Sequence, residues 1–176
     1  MVAALQDPQA APDVRSASPV VSGAQTLVYD GTDHAVPQFV GTYPAYVSAS
    51  NYSIAEGSPF TTADVNSGRQ VVLVGSTVAE ALFPGINAVG KQITVGGTLF
   101  TVVGVLAEKG GAGFNDPNDI AIAPVSAVQQ ALKVPVTGVF GVQTLAAVQK
   151  FQSAHSLLAS GIVNAPTWRA LLKATR

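Results

Sequence analysis

The sequence contains no cysteine, few charged residues and no long apolar run. Without cysteine the chain can form no disulfide, thiolate metal site or cysteine nucleophile. Charged residues make up 11% of its 176 residues, against about 25% in an average soluble domain. The longest apolar candidates, residues 71–74 and 99–106, are only strand-length, whereas a membrane-spanning helix needs about 20 residues. We therefore expect a water-soluble chain, or the soluble piece of something larger.

Residues that carry catalysis are also scarce. The only histidines are His34 and His155, and neither belongs to a zinc-binding spacing or a catalytic triad pattern. We interpret His34 as a solvated turn residue and His155 as a helix-terminal residue favoured by the helix dipole. Residues 110–119 are rich in Gly, Asn and Asp, but they lack the order of a calcium loop and are interpreted as a surface loop. The prediction is a protein that is not an enzyme and holds no metal or cofactor.

The small net charge of −1 conceals a division of the chain. Residues 1–124 contain ten acidic and four basic residues, a balance of −6, whereas residues 125–176 contain five basic residues and no acidic one. Such asymmetry favours two units with different surroundings; the alternative is that five bases over 52 residues are only a modest charge density. The basic part has no stripe of Arg and Lys interleaved with aromatics, so nucleic-acid binding is not expected.

The first part has the pattern of a small mixed sheet with short helices. Strands are predicted over 20–29 and 35–42 around a turn at residues 30–33, and two more flank the pair Gly96-Gly97. Val71–Val74 is a continuous apolar run, typical of a strand buried on both faces. A short helix with Ser76 as its N-cap follows. Residues 58–66 are predicted to be a loop, with Thr61, Thr62 and Asp64 as possible cap residues, and a strand is predicted over 119–123.

From Val125 the pattern becomes helical and contains an internal repeat. Val125, Val128 and Leu132 share one helical face. Residues 137–148 align with residues 160–171 at a constant offset of 23, and each copy is a Gly turn followed by a helix. Gly141 and Asn164 occupy the N-cap positions of these helices. The fold class is therefore predicted as α+β: a mixed small-sheet domain over 1–124, followed by a small three-helix domain over 125–176.

Residues 128–132, 136–152, 160–168 and 170–172, with His155 between them, resemble the three-helix peptidoglycan-binding domain of many cell-wall enzymes. One departure is Thr137, which stands where that family often has Asp. The resemblance implies a shallow groove near the two Gly turns, with these candidate lining residues: Phe140, Gly141, Thr144 and Trp168, with Gln152 and Arg169 as polar candidates. The alternative is that Phe140 and Trp168 belong to the core; the core is favoured for Phe140, and both options stay open for Trp168.

The order of apolar residues and glycines over about residues 13–128 resembles the extracytoplasmic core domain of MacB-type ABC transporter permeases. It is carried by residues 14–19, 39–42, 57–64, 71–83, 89–93, 100–106 and 119–124. In that family the domain lies between two transmembrane helices, and its last strands return towards the second. Here the helical repeat begins at once instead, which implies a truncated, fused or rearranged relative.

Together the two resemblances imply a non-enzymatic extracytoplasmic protein whose first part contacts partners or transmits motion and whose second part binds peptidoglycan. The expected partners are peptidoglycan glycan or stem peptide, and membrane permease subunits or other extracytoplasmic components. One alternative is an accessory fragment of a wall hydrolase whose catalytic part is a separate chain. Another is a helical repeat that only caps the sheet. From the N-terminal residues we expect no signal peptide, and we expect an excised part of a membrane-anchored protein because these residues resemble the middle of a domain.

Overall fold

The computed structural model describes residues 18, 20–110, 116–126 and 142–174. Within these ranges it contains seven strands and five helices. The strands are β1 (Val21–Tyr29), β2 (Thr32–Thr42), β3 (Ile54–Gly57), β4 (Val71–Val74), β5 (Gln92–Val95), β6 (Thr98–Leu106) and β7 (Ile120–Pro124). The helices are α1 (Ala45–Ala49), α2 (Thr62–Ser67), α3 (Ser76–Leu82), α4 (Val142–Ala154) and α5 (Ala165–Ala174). None of the helices in the described part is long and apolar enough to cross a bilayer.

Two tight hairpins form where the sequence predicts them. Asp30 and Gly31 have φ of 46° and 81°, and Tyr29 pairs with Thr32 across the turn. Gly96 and Gly97 repeat the arrangement with φ of 57° and 92°. Two consecutive positive φ angles twist the chain in the sense of the flanking strands, which suits a two-residue hairpin. Both turn predictions are confirmed, although β2 begins at Thr32, three residues earlier than expected.

The strands form one mixed sheet that closes on itself. Its order is β3-β6-β4-β7-β2-β1-β5, and β5 pairs with β6 as well as with β1. The pairs β2–β7 and β4–β6 are parallel and the others are antiparallel. Along one edge of β6, residues 98–101 pair with β5 and residues 104–106 pair with β3. A mixed sheet with short helices is what the sequence predicts.

The strands at the centre of the sheet are buried on both faces. All residues of Val71–Val74 and Ile120–Pro124 are buried, and β4 pairs with both β6 and β7. The apolar run in β4 is therefore correctly interpreted, because only a strand covered on both sides benefits from an unbroken apolar pattern. The strand predicted over 119–123 lies one residue later.

Helix α5 packs against β1 and shares the core of the sheet. The Trp168 ring is 1% exposed and stacks on Phe39 of β2, with 5.7 Å between ring centroids. Phe39 in turn meets Phe100 of β6 edge-on at 5.9 Å. These contacts join α5 to the sheet through aromatic side chains, whose burial contributes strongly to stability. The division of the chain at residue 124 stays a prediction, and the helix predicted from Val128 and Leu132 lies outside the described residues.

The start of α3 differs from the prediction. Gly75, not Ser76, is the N-cap residue, and no side chain caps the helix. The Gly75 N–H donates to the Ile120 carbonyl at 2.8 Å. A Cβ at residue 75 would overlap the carbonyl oxygen of Asn118. The close approach of β4, β7 and the loop before β7 therefore leaves room only for glycine here.

We expect Gly75→Ala to lower the free energy of unfolding by about 2–3 kcal/mol, because backbone must move to admit the methyl group. Gly110→Ala is the matched control, since a Cβ at residue 110 meets nothing within 4 Å. Urea unfolding followed by circular dichroism measures both. Equal effects of the two substitutions would contradict the steric argument.

The loop predicted over residues 58–66 is wrong for residues 62–66, which belong to α2. Thr61 and Asp64 form a reciprocal capping box, in which the Thr61 N–H donates to Asp64 Oδ2 at 2.7 Å. Arg69 Nη1 donates to Asp64 Oδ1 at 2.8 Å. Burial raises the pKa of Asp64, but the hydrogen bonds from Thr61 and the Arg69 guanidinium outweigh it and hold the pKa below its usual value of 3.8. The ionised carboxylate therefore stabilises the fold.

The depressed pKa of Asp64 predicts a pH dependence of stability. A carboxyl whose pKa is lower in the folded state contributes stability above its unfolded pKa of about 4, and this contribution is lost as pH falls through the folded value. We expect Asp64→Asn to cost about 1–2 kcal/mol at pH 7 and less at pH 2.5. Urea titrations across this range measure the difference. An equal cost at both pH values would contradict the assigned role of the charge.

Candidate functional site: the C-terminal repeat and two surface clefts

Three of the four described residues that were predicted to line a binding groove are buried. Thr144, Gln152 and Trp168 are 3%, 0% and 1% exposed, whereas Arg169 is exposed. Phe140 and Gly141 lie outside the described residues. Because a sugar can stack only on an accessible aromatic face, the position of Trp168 matches the core alternative. Among the described groove candidates, Arg169 alone presents its side chain to solvent.

Gln152 organises the second Gly turn of the repeat. Its Nε2 donates to the Ile162 carbonyl at 2.8 Å and to Thr167 Oγ1 at 2.9 Å. Its Oε1 accepts from the Gly161 N–H at 2.8 Å. Gly161 has a φ of 72°, a left-handed conformation that favours glycine. Both N–H donors and the oxygen of this buried amide are therefore engaged in holding α4 against the turn.

Asn164 caps α5, as the sequence predicts. Its Oδ1 accepts from the Thr167 N–H at 3.2 Å and from the Thr167 hydroxyl at 2.8 Å. Thr167 also accepts from Gln152 at 2.9 Å. The cap and the glutamine therefore form one network, which fixes where α5 begins and so where Trp168 and Arg169 lie.

Both histidines have partners in the structure. His34 Nε2 lies 2.8 Å from Asp119 Oδ1 in a partly buried contact between β2 and the residue before β7. The interpretation of His34 as a solvated turn residue is therefore wrong: β2 starts earlier and brings His34 beside a carboxylate 85 positions away. His155 does end a helix, stacked on Phe151 with 4.0 Å between centroids, and its Nδ1 lies 2.9 Å from the Phe151 carbonyl oxygen.

The described ends of the Gly-rich loop are held by hydrogen bonds. Asp116 accepts from the Thr77 hydroxyl and, at 2.8 Å, from the Asn118 N–H. The hydrogen bond from Thr77 lowers the pKa of Asp116. Lys109 Nζ lies 4.0 Å from the centre of the Tyr52 ring, and burial raises the pKa of Tyr52.

Within the described ranges, no three His, Asp or Glu side chains come together as a metal site.

A first surface cleft, which we call the α3 cleft, lies at the end of α3. Its volume is about 500 Å³. Ile86 at its rim is 50% exposed, whereas Phe83 and Ala88 are both 3% exposed. Two carboxylates also line it, so the cleft combines an apolar surface with negative charge. The lining residues are Glu56, Ala79, Glu80, Phe83, Pro84, Gly85, Ile86, Asn87, Ala88 and Val105.

A second cleft, which we call the α5 cleft, lies between the β1–β2 hairpin and α5. Its volume is about 550 Å³. Strand residues form an apolar wall, and two exposed bases from α5 form the opposite side. Sequence reasoning missed this cleft, although Gln25 is a polar residue in a strand whose neighbouring inward positions are Gly23 and Leu27. The lining residues are Ala24, Gln25, Thr26, Ala35, Val36, Pro37, Gly96, Arg169 and Lys173.

Comparison with known proteins shows the family to which the chain belongs. Residues 1–157 match the family model of the MacB-like periplasmic core domain. The chain belongs to this family. It is 34% identical over 129 residues to a macrolide export ATP-binding/permease protein MacB of Syntrophobacter fumaroxidans, covering 72% of this chain and 17% of that protein. It is also 34% identical over 125 residues to the pyoverdine export ATP-binding/permease protein PvdT of Pseudomonas aeruginosa, covering 66% of this chain and 18% of that protein.

Solved structures have the same fold. The periplasmic region of MacB from Actinobacillus actinomycetemcomitans superposes with a TM-score of 0.58 at 19% identity, covering 81% of this chain and 68% of that one. The extracellular domain of the ABC-type transporter YknZ from Gram-positive bacteria gives a TM-score of 0.56 at 18% identity, covering 81% and 77%.

These likenesses place the chain outside the cytoplasm, as an extracytoplasmic domain of the MacB-like permease type. The chain spans less than a fifth of the length of the curated relatives it matches. The family match also continues past residue 124 and through α4.

The single tryptophan reports on how α5 packs. Because Trp168 is the only tryptophan and stacks on Phe39, we expect its fluorescence and the circular dichroism of the whole chain to change in one coincident urea transition. A separate, earlier fluorescence transition would show that α5 unfolds independently of the sheet.

Removing this ring should destabilise the sheet as well. We expect Trp168→Ala to lower the free energy of unfolding by about 3–5 kcal/mol, as other buried aromatic truncations do. Leu158→Ala is the control, since Leu158 is 83% exposed, and we expect a change within about 0.5 kcal/mol. Urea unfolding followed by circular dichroism measures both. A Trp168→Ala variant as stable as the wild type would contradict a core role.

Proposed function

We propose that this chain is a non-catalytic contact domain of a MacB-like exporter and that the α3 cleft is its contact surface. The family match supports the first part of this proposal. The exposure of Ile86 beside the buried side chains of Phe83 and Ala88 supports the second, because an accessible apolar patch with a polar rim is typical of interaction sites. The occupant is a permease subunit or another extracytoplasmic component of the exporter.

The closed sheet makes the α3 cleft suitable for transmitting motion. Glu56 lies on β3, Val105 lies on β6, and Phe83 follows α3, so three elements of the domain meet at the cleft. Close-packed protein interiors have low compressibility, so a displacement at one element is passed on to the elements packed against it. A partner that binds the cleft would therefore move the sheet as one body. Glu80 and Glu56 would favour a partner with basic residues beside its apolar anchor.

Site-specific photocrosslinking tests the contact surface. The chain would be exported to the periplasm of a bacterium that has a MacB-type exporter, with a benzophenone amino acid at residue 86. We expect adducts that contain exporter components, identified by mass spectrometry. Residue 99 is the matched control, because Leu99 is also apolar and is 53% exposed but does not line the cleft. Equal adducts from both positions, or none from residue 86, would contradict the proposal.

A second proposal is that residues 125–176 bind peptidoglycan. Its support is the internal repeat, with five basic and no acidic residues, together with the hydrogen-bond network that holds the second repeat turn. In this proposal Arg169 contacts the ligand. Thr144, Gln152 and Trp168 shape the turn and helix beneath it, and Phe140 and Gly141 belong to the first repeat turn.

Sedimentation with purified, insoluble peptidoglycan tests this second proposal. We expect the full chain to be found in the pellet at low and at moderate salt, and Arg169→Gln to weaken retention severalfold. Lys150→Gln removes an equal charge from the exposed face of α4 and serves as the control. A chain that stays in the supernatant at both salt concentrations would contradict peptidoglycan binding.

A further inference from the structure

The α5 cleft contains a buried amide with an unused donor. Gln25 is 8% exposed, and its Nε2 has no hydrogen-bond partner among the described residues. It lies beside a shift in the register of β1 and β2 between Gly23 and Gln25. Such irregularities are over-represented next to functional sites, because they redirect side chains. A buried donor without an acceptor is costly. Nε2 itself is closed off from solvent, so the Gln25 side chain must turn towards the cleft before it can donate to an acceptor on a ligand.

The helix side of the cleft supplies positive charge. Arg169 and Lys173 are one helical turn apart on α5, and both are exposed. The described ion pairs, His34–Asp119 and Arg69–Asp64, include neither base. Two like charges four residues apart weaken a helix slightly, and no acidic residue lines the described part of the cleft. Within the described part of the chain, the two bases therefore face the cleft without an acidic partner.

The remaining wall limits what kind of anion fits. Ala24, Ala35, Val36 and Pro37 are apolar, and a volume of about 550 Å³ is within the range of small-molecule sites. Arg169 lies at the middle of α5 and Lys173 lies in its last turn. The carbonyl end of the helix dipole offsets part of the attraction of Lys173 for an anion. The two bases and the apolar wall together favour an anionic group attached to a short apolar group.

We propose that the α5 cleft binds a carboxylate carried by a short apolar group. Arg169 and Lys173 attract the carboxylate, and the Gln25 side chain turns so that Nε2 donates a hydrogen bond to one of its oxygens. The apolar part of the ligand lies against Ala35 and Val36. The inference does not rest on the α3 cleft, because the two clefts share no lining residue. Nor does it require binding to intact peptidoglycan.

Two sources offer this chemistry: a free small carboxylic acid, and the carboxyl end of a wall peptide. The probes are isobutyrate and N-acetyl-D-alanyl-D-alanine, with the C-terminal amide of the dipeptide as the uncharged control and inorganic phosphate as the competing anion. Each is titrated into the ¹⁵N-labelled full chain at low salt. The side-chain amide of Gln25 and the Nε–H of Arg169 are followed by NMR.

We expect saturable shifts of both groups with at least one carboxylate probe and none with the amide. Binding by both carboxylates identifies a general carboxylate site, and binding by the dipeptide alone identifies a wall-peptide site. Equal shifts with the amide, tighter binding of phosphate, or no shift with either carboxylate would overturn the proposal.

Variants distinguish specific binding in the α5 cleft from non-specific attraction of anions by positive charge. The double variant Arg169→Gln, Lys173→Gln should weaken binding at least about tenfold, since each charged hydrogen bond is worth roughly a factor of ten. Gln25→Met, which keeps the length but removes the donor, should weaken it about fivefold. The control is Lys91→Gln, Lys150→Gln, which removes the same charge from other exposed positions. An equal loss in the control would show charge attraction alone and overturn the site.

Discussion

Strand β5 hydrogen-bonds to β1 on one side and to β6 on the other, and this double pairing determines the rest of the fold. Without it the seven strands would form an open sheet with β5 at one edge. With it the six strands β1, β2, β7, β4, β6 and β5 form a closed ring, and β3 extends β6. Closure satisfies backbone groups that an edge strand would leave unpaired. It also brings β1 and β6 together, although they are far apart in sequence.

The closed ring explains why the C-terminal helix is part of the core. Phe39 and Phe100 meet edge-on within the sheet, and Trp168 of α5 stacks on Phe39. Helix α5 is thus connected to the sheet through one aromatic cluster, while the Gln152 network fixes where α5 begins. Placing α5 against β1 also creates the α5 cleft beside the hairpin. Whatever the role of α5, its packing against β1 changes the surface of the sheet beside the β1–β2 hairpin.

Local structure could be predicted wherever neighbouring residues determine it. Gly96-Gly97 and Asp30-Gly31 predict hairpins because a two-residue turn depends on φ angles within the turn. Asn164 predicts a helix start because a cap depends on residues three positions apart. The prediction of Ser76 as the N-cap of α3 is wrong. Residue 75 must be glycine because the backbone of Asn118, from the loop before β7, lies against it, and no neighbouring residue signals that contact.

The sequence by itself determined the family, the central buried strands, the hairpins and the repeat with its cap at Asn164. These follow from apolar periodicity, glycine positions and short spacings, which act over a few residues. Tertiary structure alone decided that Trp168 is core, that His34 meets Asp119 and that Gln25 shares a cleft with Arg169. Each of these depends on closure of the sheet and on the docking of α5. Contacts between residues tens of positions apart depend on how the whole chain packs, and no local pattern encodes that.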